Sequence, residues 1–203
     1  YDTFFKFSSF PSYIRINSSY VDNLIYLASE SGVVIQKEGA TNLVAPESWD
    51  VYTTVEGLPV NNIFKIGKYN GKVIASSSKG LSQFNNGFWT SLNSIFNNKN
   101  IQDFFVTGDS LFVLANNILY IYKDGEIKSE ISSLTKPLKI TGLYNNNIVL
   151  STLSGICIID ASLTQKYCYP NSPQSNQFTS IAVDSKGSLW SASGKDNIGV
   201  GFY

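Results

Sequence analysis

Two cysteines carry the most reactive side chains of this sequence, and their spacing is compatible with a disulfide between them. Cys157 and Cys168 lie on two predicted strands, 156–160 and 165–169, which a four-residue loop joins. This loop places Cys157 opposite Cys168, and an opposed pair without ladder hydrogen bonds brings the Cα atoms to about 4.5 Å, within disulfide reach. The spacing predicts a Cys157–Cys168 disulfide and an oxidising compartment. The alternative is two reduced, half-buried cysteines that pack as small hydrophobic groups.

The rest of the inventory contains no recognisable catalytic set. Histidine is absent, which removes the commonest general base and metal ligand and rules out Ser-His-Asp or Cys-His arrangements. The acidic residues stand mostly at turns or strand ends, where they cap backbone groups. We therefore predict no catalytic, cofactor-binding or metal site, and a protein that is not an enzyme.

Three tryptophans are the candidates for a ligand platform. Trp49 and Trp89 each begin a predicted fourth strand, and equivalent places in a repeat usually share a packing role. Trp190 stands in the middle of a predicted strand, so we expect it to pack in the core. The stretch from Asp184 to Trp190 approaches the Asp-box of sialidases, but its glycine and tryptophan each come one residue too late.

Charge and composition narrow the classes of partner that the chain could bind. Lysine and arginine balance aspartate and glutamate at 15 each, and Arg15 is the single arginine. Nothing here resembles the basic stripe of a nucleic-acid binder, and no apolar run is long enough to cross a membrane. The sequence does not begin with methionine, so we expect a single domain over 1–203 that was excised from a longer protein.

A repeat organises the whole chain. Five segments share an apolar strand, a tight turn, a second strand ending in small residues and a third strand. The second strands are 24–29, 73–76, 111–115, 148–151 and 189–192. Aligned on Ala28, Ala75, Ala115, Ser151 and Ala192, they recur about every 40 residues, the size of a four-stranded blade.

This period predicts an all-β fold, a β-propeller of about five four-stranded blades. Asn-Gly and Asp-Gly pairs such as Asn70-Gly71, Asn86-Gly87 and Asp124-Gly125 supply the tight turns. A β-sandwich is the alternative, although sandwich strands carry no second period near 40 residues. The fifth repeat has no fourth strand, so the strand predicted at Thr3 to Phe7 would complete it and close the propeller; otherwise the chain is a fragment of a larger propeller.

Two stretches resemble the two-component-regulator propeller repeat family. Gly57-Leu58-Pro59-Val60-Asn61-Asn62-Ile63 is similar to the run that opens a blade in that family, and Asp184 to Trp190 resembles its Asp-x-x-Gly-x-Leu-Trp hairpin. Lys79 to Phe84 resembles its third strand. The likeness is good in the second and fifth repeats and faint in the others.

The resemblance implies a binding or scaffolding propeller of the periplasm or bacterial cell surface. The degenerate repeats of this chain are most like those of the propeller component of the type IX secretion attachment complex. That resemblance implies contacts with protein domains of the parent chain or complex, or with lipopolysaccharide-type glycan. The alternative is a periplasmic carbohydrate-sensing propeller of a hybrid two-component regulator. Neither resemblance identifies ligand-binding residues.

Overall fold

Antiparallel sheets dominate the computed structural model of the chain, which describes residues 6–10, 13–169, 178–195 and 198–202. The residues fall into two compact units, Tyr1–Gln102 and Asp103–Tyr203, here called unit 1 and unit 2. The predicted single domain over 1–203 stays a prediction.

Unit 1 contains two four-stranded sheets, each with its strands in chain order. The first consists of β1 (Ile16–Val21), β2 (Ile25–Ser29), β3 (Gly32–Gln36) and β4 (Trp49–Tyr52). The second consists of β5 (Ile63–Tyr69), β6 (Lys72–Ser77), β7 (Gly80–Asn85) and β8 (Phe88–Ser91). Short 3₁₀ turns stand in the connections of this unit, at Pro46–Ser48, Thr54–Glu56 and Ser94–Phe96.

Unit 2 contains the remaining sheets, and the unit boundary falls within the first strand of the third sheet. The third sheet consists of β9 (Ile101–Thr107), β10 (Ser110–Ala115), β11 (Ile118–Lys123) and β12 (Glu126–Ile131). The fourth consists of β13 (Pro137–Tyr144), β14 (Asn147–Thr152), β15 (Gly155–Ile159) and β16 (Gln165–Cys168). The fifth has three described strands, β17 (Phe178–Val183), β18 (Leu189–Lys195) and β19 (Ile198–Phe202).

The sequential strand order confirms the predicted blade pattern. Consecutive strands pair in every sheet, as in a propeller blade, and the Greek-key crossings of a sandwich do not occur among the described strands. Asparagine serves the turns as expected, since Asn70, Asn86 and Asn145 among others have positive φ. The closing strand predicted at Thr3 to Phe7 lies largely outside the described residues, so closure stays a prediction.

A hydroxyl group closes the hairpin between the second and third strands in three sheets. The Ser29 Oγ donates to the Gly32 carbonyl oxygen at 2.8 Å, Ser77 donates to Gly80 at 3.2 Å, and Thr152 donates to Gly155 at 3.0 Å. These bonds fix the equivalence of the three repeats that contain them, and they shift the sequence alignment by one residue in the second repeat. Ser29 corresponds to Ser77 and Thr152, so Ala28 aligns with Ser76 and not with Ala75.

The glycine of this hairpin is required because another backbone passes over it. A Cβ at Gly32 would stand 2.2 Å from the Tyr52 carbonyl oxygen, and one at Gly155 would stand 2.3 Å from the Cys168 carbonyl oxygen. Both glycines also have positive φ, +144° and +155°. Side chains are excluded from these positions by sterics as well as by backbone conformation.

Each unit buries its own apolar core. In unit 1, Val33, Ile66 and Trp89 belong to a core between the first and second sheets, while Phe10 and Trp49 cover the other face of the first sheet. In unit 2, a core of aliphatic residues joins the third and fourth sheets, among them Leu114, Leu119, Ile140, Leu150 and Ile159. Burial of such side chains is the main source of stability in both units.

Candidate functional site

A polar cleft of about 560 Å³ lies on unit 1, at the sheet edge where β1 turns into β2. The turn after β1 contributes Asp22, the loop after β3 contributes Glu38, and β5 contributes Lys68 from the second sheet. Tyr26 of β2 and Gln36 of β3 complete the polar lining. Two sheets therefore build this site together.

An ion pair forms part of the cleft wall. The Lys68 ammonium donates a hydrogen bond to the Asp22 carboxylate, and both side chains are about one third exposed (39% and 34%). This bond raises the pKa of the Lys68 ammonium above its ordinary value. The pair keeps one cation and one carboxylate in fixed positions at the cleft wall.

Tyr26 places a phenol beside this pair. It stands directly opposite Tyr20 in the strand register, and the two rings lie 6.0 Å apart between centroids. Burial raises the pKa of the Tyr26 phenol, and the nearby Asp22 carboxylate raises it further. The phenol therefore stays protonated at neutral pH and can donate as well as accept a hydrogen bond.

Gln36 holds the loop that forms the far wall. Its Oε1 accepts from the Ile25 N–H at 3.2 Å, and its Nε2 donates to the Ala40 carbonyl oxygen at 3.2 Å. The amide thus ties the loop after β3 to the start of β2. The wall that carries Glu38 is preorganised by this bridge.

The arrangement alternates donors and acceptors. An ammonium and a phenol can donate, while the Asp22 and Glu38 carboxylates can accept. Such a surface suits a ligand rich in hydroxyl groups, because each hydroxyl donates one hydrogen bond and accepts others. Sequence reasoning missed the cleft because Asp22 and Lys68 are 46 residues apart, and only the stacking of two sheets brings them together.

The predicted Cys157–Cys168 disulfide is wrong in register, and both thiols are free. Cys157 stands opposite Tyr167, while Cys168 stands opposite Ile156. A shift of one residue sends the two side chains to opposite faces of the sheet, and a disulfide cannot form between Cβ atoms that point apart. Cys157 is fully buried in the core of unit 2, and burial raises the pKa of its thiol.

Asp160 explains the shift. The prediction made it the last residue of the strand, but β15 ends at Ile159, which pairs with Gln165. The Asp160 Oδ1 instead accepts backbone N–H groups from Ser162 and Thr164, each at 2.9 Å. The loop therefore has five residues, one more than predicted.

Asp184 builds a loop of the same kind in the fifth sheet. Its Oδ1 accepts from the N–H groups of Lys186 at 2.8 Å and Ser188 at 2.9 Å, and its Oδ2 accepts the Trp190 indole N–H at 3.0 Å. These bonds lower the pKa of Asp184, the indole contributing most. The aspartate of the Asp-x-x-Gly-x-Leu-Trp stretch thus organises a turn.

The tryptophans divide into two buried and one exposed. Trp49 and Trp89 are 4% and 2% exposed, in agreement with the packing interpretation. Trp190 is 54% exposed, so the prediction that it packs in the core is wrong. The period-two pattern of β18 could not decide which side of that strand is covered.

Other acidic residues also have structural partners, and Asp103 has one although it lies inside β9 and not at a turn or strand end. Asp103 is buried and accepts the Ile140 N–H at 2.8 Å, and Asp109 pairs with Lys123 at 2.8 Å. Glu56 caps the 3₁₀ turn at Thr54–Glu56.

Among residues 6–10, 13–169, 178–195 and 198–202, no three side chains of the metal-ligating acidic, histidine or cysteine types come together. No helix in the same ranges is long and apolar enough to cross a membrane.

Comparison with known proteins is informative only at the level of structure. No protein-family model matches the sequence, and no curated protein matches it either. Solved structures do match. The extracellular domain of BT4673 from B. thetaiotaomicron, described as a one component system, is 16% identical with a TM-score of 0.73 over 97% of this chain and 28% of that chain.

Two further structures are similar. Virginiamycin B lyase from Staphylococcus aureus is 12% identical with a TM-score of 0.65, over 93% of this chain and 69% of that one. PorZ, a surface component of the type IX secretion system of Porphyromonas gingivalis, is 18% identical with a TM-score of 0.55, over 95% of this chain and 27% of that one. This chain therefore spans just over a quarter of the solved extracellular domain of BT4673 and of the solved PorZ chain. At these identities the likeness concerns the fold, and it confirms the predicted all-β propeller class.

Proposed function

We propose that this chain is a non-enzymatic binding and scaffolding propeller of a surface or secretion-associated protein, contacting protein partners or lipopolysaccharide-type glycan. The observation that carries the proposal is the cleft lined by Asp22, Tyr26, Glu38 and Lys68. It is polar, held in place by the Gln36 bridge, and able to donate and accept hydrogen bonds along one wall. Partner domains of the parent chain or its complex are the protein contacts, with no role for nucleic acid.

The structural neighbours support a location in the periplasm or at the bacterial cell surface. BT4673 is matched through its extracellular domain, and PorZ is described as a bacterial surface component. The free thiols of Cys157 and Cys168 no longer contribute to this argument, so the proposed location rests on the neighbours.

The side-chain chemistry supports a binding role over catalysis. In the lyase neighbour, a variant with one histidine replaced by alanine is described as catalytically inactive, and this chain has no histidine. Several of the acids are engaged in the fold: Asp160 and Asp184 organise loops, and Asp103 holds a backbone N–H. Lys68 and Asp22 neutralise each other.

A carbohydrate-sensing propeller of a hybrid two-component regulator is the second candidate. It is favoured by the higher TM-score to the BT4673 extracellular domain, 0.73 against 0.55 for PorZ. The hydroxyl-matching chemistry of the cleft suits a short oligosaccharide as well as a surface glycan. The two candidates share the site and differ in its ligand.

A glycan-array and lipopolysaccharide screen on the purified chain tests both candidates. The variants Y26F and K68Q remove one phenol hydroxyl and one charge from the cleft, while Y20F is the matched control because Tyr20 does not line it. We expect the wild-type chain and Y20F to bind alike, and Y26F and K68Q to bind at least fivefold more weakly.

The kind of glycan that the chain binds in this screen distinguishes between the two candidate functions. Binding to lipopolysaccharide-type glycan supports surface attachment, and binding to a short oligosaccharide supports sensing. Glycan binding that Y26F and K68Q leave unchanged would remove the cleft from the proposal. Absence of any glycan binding would leave a scaffold that contacts proteins alone.

A further inference from the structure

A second and smaller pocket of about 260 Å³ lies on unit 1, between the β6–β7 hairpin and the chain that follows β8. Lys79 comes from the hairpin, Ser82 from β7, Ser91 from β8, and Asn97 and Asn98 from the segment after the 3₁₀ turn. The Asn98 N–H donates to the Lys79 carbonyl oxygen at 3.0 Å. This bond ties the two walls of the pocket together.

The strand register places two serines on the same side of the sheet. Ser82 stands directly opposite Ser91, and opposed residues of an antiparallel pair project to one face. The Ser91 Oγ donates to the Asn97 Oδ1 at 2.6 Å. Because this bond occupies the amide oxygen, Asn97 is oriented with its Nδ2 hydrogens available.

Hydrogen-bond donors predominate in the pocket, and several have no protein acceptor among the described residues. These are the Lys79 ammonium, the Asn97 Nδ2 and the Ser82 hydroxyl. Three donors of this kind in one small pocket call for an acceptor-rich group.

Carboxylates are absent from the described lining of this pocket. Glu56, next in sequence to the lining residue Gly57, has its Oε2 engaged by the Thr53 N–H at 2.7 Å and the Thr53 hydroxyl at 3.0 Å. The larger cleft differs in this respect, since Asp22 neutralises Lys68 there. The Lys79 charge has no such counterpart in the part of the chain that the structure describes.

We infer that this pocket binds an oxyanion group, a carboxylate or a phosphate, carried by a ligand. The Lys79 ammonium supplies the charge, and Asn97 and Ser82 supply neutral donors. Hydrogen bonds to a charged acceptor are about twice as strong as neutral ones, so the site distinguishes an anion from an uncharged group of the same shape. It is independent of the cleft and of the glycan proposed there.

Titration of the isotopically labelled 203-residue chain with sodium acetate, sodium phosphate and acetamide, followed by amide NMR at constant ionic strength, tests this inference. Acetamide is the uncharged isostere of acetate. We expect saturable shifts at Lys79, Asn97 and Asn98 with at least one anion, and none with acetamide. K79Q should weaken anion binding at least fivefold and S82A at least twofold, while K72Q, at an exposed lysine of the same sheet outside the pocket, should change nothing.

Each result has one meaning. Saturation by acetate alone assigns a carboxylate ligand, saturation by phosphate alone assigns a phosphate ligand, and either supports the site. Equal response to acetamide, a linear response without saturation, or K79Q and K72Q behaving alike would overturn it. Amide spectra of the variants that match the wild type confirm that each one is folded.

Discussion

Replacing Gly155 with alanine is expected to destabilise unit 2 far more than the same replacement at Gly125. Gly155 directly follows a tight turn and Gly125 lies within one, and both have positive φ, +155° and +81°. They differ in what surrounds them. A Cβ at Gly155 would stand 2.3 Å from the Cys168 carbonyl oxygen, whereas a Cβ at Gly125 would meet nothing within 4 Å.

The magnitudes follow from this difference. A residue with a side chain held at a φ such as that of Gly155 costs about 2 kcal/mol in strain, and overpacking against a fixed carbonyl adds about 2 kcal/mol. Gly155→Ala should therefore lower the free energy of unfolding by about 4 kcal/mol. Gly125→Ala pays only for the left-handed backbone, about 1 kcal/mol.

Urea unfolding followed by circular dichroism measures both changes, and amide hydrogen exchange in β15 shows whether the loss is local to the fourth sheet. We expect exchange at Ile156 and Ile158 to accelerate in Gly155→Ala only. A difference between the two variants of less than about 1 kcal/mol would refute the steric reasoning, because strain at positive φ would then account for both.

Three further outcomes are expected. Asp103→Ala should lower the free energy of unfolding by about 2 to 3 kcal/mol in urea unfolding, because it leaves a buried backbone N–H without its acceptor. A thiol assay should find both cysteines reduced, with Cys168 reacting in the folded chain and Cys157 only after unfolding; one disulfide per chain would contradict the register. Because the pKa of Asp184 is lowered, its bond to the Trp190 indole should be complete above pH 3.8, the ordinary value, and should be lost as the pH falls through the lower pKa of the folded chain. The indole N–H signal in NMR follows this loss, and a transition above pH 3.8 would contradict the prediction.

The strands could be predicted from the sequence because two local signals act together. Alternating apolar residues locate each strand, and Asn-Gly or Asp-Gly pairs such as Asn70-Gly71 locate the turns. The predicted second strand 111–115 is observed as Ser110–Ala115, and the predicted second strand 148–151 as Asn147–Thr152. Such local signals depend on neighbours along the chain, which the sequence displays directly.

Register and exposure depended on details that the sequence does not display. The predicted cysteine pairing was wrong by a register of one residue. Asp160 could either end a strand or organise a loop, and only its hydrogen bonds decide between the two. The predicted burial of Trp190 was wrong for another reason, since the side of β18 that is covered depends on packing between sheets. The cleft was unpredictable in the same way, because Asp22 and Lys68 meet only when two sheets stack.

The hydroxyl bonds that close the β2–β3 type of hairpin have a consequence for synthesis of the chain. The bonds Ser29–Gly32, Ser77–Gly80 and Thr152–Gly155 each span three residues, and every sheet takes its strands in chain order. Contacts this local favour rapid folding, and a chain leaving the ribosome can finish one sheet before the next has been translated. Strands without a partner are then short-lived during synthesis, which limits the time available for pairing with a neighbouring nascent chain.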